Sequence, residues 1–143
     1  MSPSTAQNWL KSAGIVLVVV GVFFSWVTSG AASAVNVWFV DLVFWPLDGQ
    51  QTYEAVETKL LSGIAGGLTV GLGLAIWIVA REILPGDPAL ARRIILTFMM
   101  GWFVVDSVGS VLAGAWFNVV PNVAILIGVC WPVLGVPRAE VTA

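Results

Sequence analysis

Four long runs, each apolar and nearly free of charge, constrain this chain more than anything else in it. They fall at about Ser12–Ala32, Leu60–Ala80, Ala89–Ala115 and Asn118–Gly135. Each reaches or approaches the ~20 residues that a helix needs to cross ~30 Å of hydrocarbon. Lipid offers backbone N–H and C=O groups no partner, so such runs fold as helices that satisfy them internally. The expected fold is all-α: one integral membrane domain over residues 1–143, a four-helix transmembrane bundle. Composition agrees, because 10% of residues are charged where a soluble domain carries about 25%.

The first run is too long for the ~7–15-residue apolar core of a cleaved signal peptide, and is expected to stay as a span. The fourth ends at Trp131-Pro132, where the proline removes a helix hydrogen bond and a bent exit is expected. In the turn "REILPGDPALARR", Pro85-Gly86 ends the second helix, Asp87 is an N-cap and Pro88 takes the first helical position. Lys11, Arg81, Arg92, Arg93 and Arg138 fall on one side of a four-span arrangement and Lys59 on the other. The positive-inside rule then places both termini in the cytoplasm. Arg92 and Arg93, at headgroup level, are expected to anchor to lipid. Residues 35–46 are too aromatic for a free loop and too interrupted for a span, and read as an interfacial or re-entrant helix.

The chain lacks histidine and has one cysteine, Cys130. That removes His- and Cys-based zinc or iron–sulfur sites and histidine-dependent catalytic triads. A net charge of −2 with no basic patch gives nucleic acid nothing to bind. No metal or other cofactor is expected, and no nucleophile–base pair marks an enzyme.

Two features carry what function the residues suggest. Gly63, Gly67 and Gly71 recur every four residues, with Gly66 and Gly73 beside them. Such ladders let a second helix approach closely, from the same chain or from another. Asp106 lies inside the third run, with Gly109, Ser110 and Ala113 on its side of the helix. A carboxylate at that depth is costly and needs a partner or a task. Asn118 and Asn122, one turn apart, are the foremost donors; Lys59 follows, then the hydroxyls of Ser25 and Thr28. Gly109 and Ala113 are expected to pack against a neighbour. Glu57, with Glu54, could draw a cation to the mouth of a pocket.

The blocks "VWFVDLVFWPLDGQQTY" (37–53) and "WFVVDSVGSVLAGAWFNVVPN" (102–122) resemble those of small four-helix bacterial inner-membrane proteins. The resemblance implies a bacterial inner membrane and carries over no catalytic residue. Three function classes follow in order. The first is a non-enzymatic accessory protein that packs against itself, as a homo-oligomer, or against a larger membrane complex. The second is a small transporter or channel using Asp106. The third is a binder of an apolar ligand or lipid.

Overall fold

The computed structural model describes residues 1–136. Among them the secondary structure is all helical, with no strand: α1 Pro3–Trp26, α2 Ala34–Val43, α3 Val56–Ile78, α4 Pro88–Leu112 and α5 Val119–Gly135. Four of these stretches are long and apolar enough to cross a membrane: α1, α3 extended to Ile83, α4, and α5 with the short turn before it. The chain is therefore a multi-pass membrane protein by length and composition.

Local chemistry sets the ends. Ser2 Oγ accepts the Thr5 N–H at 3.2 Å and Pro3 occupies the first turn, so α1 starts at Pro3 rather than Ser12. It stops at Trp26 rather than Ala32, because the chain turns at Gly30, φ 74°, in the left-handed region that favours glycine. Past Ile78, α3 widens into a π turn closed by Leu84 N–H to Val79 O at 2.9 Å. Asp87 caps α4, its Oδ1 accepting the Leu90 N–H at 2.9 Å, with Pro88 in the first turn.

α1 and α3 run antiparallel with their backbones nearly touching. A Cβ on Gly14 would lie 2.6 Å from Gly73 O, and one on Gly21 would lie 2.5 Å from Gly66 O. One turn further on, Ser62 Oγ donates to Phe24 O at 2.9 Å and Ser25 Oγ to Gly63 O at 3.3 Å. The small residues thus step by seven and then four along each helix: Gly14, Gly21, Ser25 against Gly73, Gly66, Ser62. A step of seven keeps a seam facing its partner in left-handed packing.

Within the chain the closest helix approach does not use the expected ladder. A Cβ on Gly63, Gly67, Gly71 or Gly109 would meet nothing within 4 Å, and Ala113 is exposed. Gly63 borders the seam, its carbonyl accepting the Ser25 hydroxyl, Gly67 and Gly71 are exposed, and the close approach to α1 uses Gly66 and Gly73 beside them.

The second pair, α4 and α5, is joined through Gly114, φ 84°, and the turn Trp116–Asn118. The two pairs meet at one end of the molecule. There Leu10, Ile76, Leu84, Ile95, Met99 and Val133 are almost fully buried together.

At that same end α5 passes through Pro132 without stopping. Proline has no N–H for the carbonyl of Gly128, four residues back. Trp9 Nε1 of α1 donates to that carbonyl at 2.8 Å, supplying from a neighbouring helix the bond that lipid cannot. The helix end is met in a similar way. Arg92 Nε donates to Val133 O at 3.0 Å and its Nη2 to Val136 O at 2.6 Å. A cation there satisfies free carbonyls and complements the helix dipole. Arg92 is therefore a helix cap rather than the expected lipid anchor; Arg93 beside it is exposed. Arg138 lies outside the described residues.

Residues 27–55 cover the opposite end. Phe39 of α2 meets Phe24 of α1 edge-on at 5.0 Å, and Trp45 stacks on Phe117 at 5.4 Å. The segment therefore touches both helix pairs. Asn36, fully buried, donates its amide to Val27 O at 2.7 Å just past the end of α1.

Candidate functional site

Asp106 lies six residues before Leu112, where α4 ends. At ~1.5 Å per residue it is roughly 9 Å from the end of its helix. This is shallower than the expected span to Ala115 implies, because Ala113 caps the helix and Gly114 turns the chain back.

The tightness of that turn builds the site. It returns the chain so that Asn118 faces Asp106 and Ser110, and Asn122, one turn on, faces Asp106 and Ser107. Asn118 Nδ2 donates to Asp106 Oδ2 at 3.2 Å and to Ser110 Oγ at 2.9 Å. Asn122 Nδ2 donates to the same Oδ2 and, at 3.2 Å, to Ser107 Oγ. Asn122 and Ser107 are buried, while Asp106, Ser110 and Asn118 are half-buried. Both amides converge on one carboxylate oxygen, and no described protein group donates to Oδ1.

The other residues named from sequence lie elsewhere. Lys59 and Glu57 belong to the first turns of α3, and Glu57 is exposed. Among the described residues the one ion pair is Arg81 Nε to Glu82 Oε1 at 3.0 Å, so Asp106 is held by neutral amides. Ser25 is committed to the α1–α3 seam, where its Oγ donates to Gly63 O. Among the described residues no three His, Cys, Asp or Glu side chains group to hold a metal ion.

Two cavities stand apart from this cluster. One, of about 300 Å3, is an apolar groove between α1 and α5 lined by Trp9, Ala13, Val16, Ile125 and Val129. The other, of about 410 Å3, lies beside α2 and is lined by Trp38, Asp41 and Gly49 among others. Asp41 falls within the aromatic 35–46 segment and was not singled out from sequence. Its signal is local: a carboxylate eight residues before the glycine of Asp48-Gly49, whose N–H it accepts.

No family model matches the chain, and no curated protein or solved structure matches it.

Proposed function

We propose that this chain is a non-enzymatic accessory or interaction protein. Its four spans form one bundle with both termini in the cytoplasm, in a bacterial inner membrane, and it packs against a further helix of itself or of a larger membrane complex. One observation carries the reading. Gly63, Gly67 and Gly71 line up on α3 where an added Cβ would meet none of the described residues within 4 Å, flanked by Leu60, Ile64 and Leu68, each more than half exposed. Small residues at four-residue spacing let another backbone come close, and that gain of contact is what drives association in lipid.

The Asp106 cluster supports the same reading. Its donors are neutral amides from its own hairpin, which makes it a clasp between α4 and α5. A second reading rests on Oδ1, which no described group donates to: a proton or cation could be held there, as a transporter requires.

A photoreactive residue in place of Leu68 tests the first reading in native membranes. A discrete protein adduct that Gly67→Leu abolishes is expected; adducts to lipid alone would overturn it. Reporters fused at Gly49 and after Ala143 should read opposite sides of the membrane, and finding both on one side would contradict the topology. Ion flux in vesicles that Asp106→Asn abolishes, in a protein still folded, would favour the second reading.

A further inference from the structure

We propose that the cavity beside Asp41 binds an organic ammonium group, with the Asp41 carboxylate as counter-charge and Trp38 as an aromatic wall. This site is separate from the α3 face and does not depend on the assembly reading.

The residues at 34, 37, 38 and 41, spaced to share one face of α2, line the cavity together with residues 30, 31, 33 and 49. Asp41 is 7% exposed. Its Oδ1 and Oδ2 share a single donor, the Gly49 N–H, at 3.1 Å each. A carboxylate can accept about four hydrogen bonds, and a buried charge with so few partners is costly. No described Lys or Arg pairs with it. The cavity wall therefore carries a negative charge that the described chain leaves unbalanced.

The shape of the site selects the kind of cation. Divalent cations such as Ca2+ take about six to eight oxygen ligands, and no described group of acidic side chains supplies them. An ammonium needs one counter-charge and an aromatic face. Trp38, 55% exposed, is one of the residues that line the cavity. The volume, about 410 Å3, lies within the ~300–1,000 Å3 usual for small-molecule sites. The ammonium could come from an aminophospholipid headgroup or from a free amine.

The test uses the full chain in nanodiscs of phosphatidylglycerol, which lacks an amine. Ethanolamine and tetramethylammonium are titrated by calorimetry, and retention of phosphatidylethanolamine from mixed-lipid discs is counted by native mass spectrometry. Saturable binding of a free amine identifies a soluble ligand. Selective retention of phosphatidylethanolamine without free-amine binding identifies the lipid headgroup. In either case Asp41→Asn should weaken binding by about tenfold or more, because the amide still accepts the Gly49 N–H but carries no charge. Should Asp41→Asn fail to fold, Trp38→Leu at an exposed ring takes its place, with a loss of several-fold. A parent protein that binds neither free amine and retains both lipids equally would overturn the proposal, as would unchanged affinity in the folded variant.

Discussion

Between α1 and α3 the contacts are backbone on backbone, at Gly14–Gly73 and Gly21–Gly66. Between α4 and α5, at the turn end, they are side chain on side chain, with two asparagine amides on one carboxylate oxygen. Both pairs face the same difficulty, since lipid is as apolar as the helices and the hydrophobic effect does not drive them together. The first pair answers with contact along its length, which glycine permits by having no Cβ. The second answers with directed bonds beside its own short turn, where loop closure has already brought the helices close. Distributed contact should be intolerant of added bulk. Directed bonds should be intolerant of losing an acceptor and indifferent to its charge.

The largest effect should come from bulk in the glycine seam. Gly21→Leu would drive its Cβ to 2.5 Å from Gly66 O, and should cost about 3 kcal/mol or more by thermal unfolding in detergent. Asp106→Leu should cost less, about 1–2 kcal/mol, because it strands the amides of Asn118 and Asn122 while the turn still holds the helices. Removing the Trp9 donor bears on where the two pairs meet. Trp9→Phe keeps the ring but frees Gly128 O, and should cost about 1 kcal/mol with faster backbone exchange around Pro132. Asp106→Asn should move stability by no more than about 0.6 kcal/mol, since its amide oxygen still accepts both bonds. A loss as large as that of Asp106→Leu would show that the charge itself holds the clasp.

Sequence pattern reached the four spans because hydropathy over some twenty residues is a sum that single contacts do not overturn. It reached Asp106 and its asparagines because one helical turn separates Asn118 from Asn122 and a short turn leads back to Asp106. The cap at Asp87-Pro88 was likewise legible, being a local signal. The α1–α3 seam was not, because the four-residue ladder is the denser glycine pattern on α3 and the spacing of seven becomes visible only when Gly14 and Gly21 are set against Gly73 and Gly66. Polar Gln7, Asn8 and Lys11 hid the start of α1, although Ser2-Pro3 marks it. The role of Arg92 depends on where α5 ends in space, some forty residues away in the chain, which no local pattern encodes.

Adjacent faces of α3 are placed differently: one packs against α1 and the other is left uncovered by the described residues. Gly66 and Gly67 are neighbours on opposite sides of that division, so placing leucine at each and measuring thermal unfolding in detergent tests the claim directly. Gly66 lies against Gly21 O and Ser25 of α1, whereas Gly67 faces open space. The account predicts that Gly66→Leu lowers the unfolding temperature sharply while Gly67→Leu unfolds with the parent. Equal destabilisation by both, or a greater loss from Gly67→Leu, would contradict it.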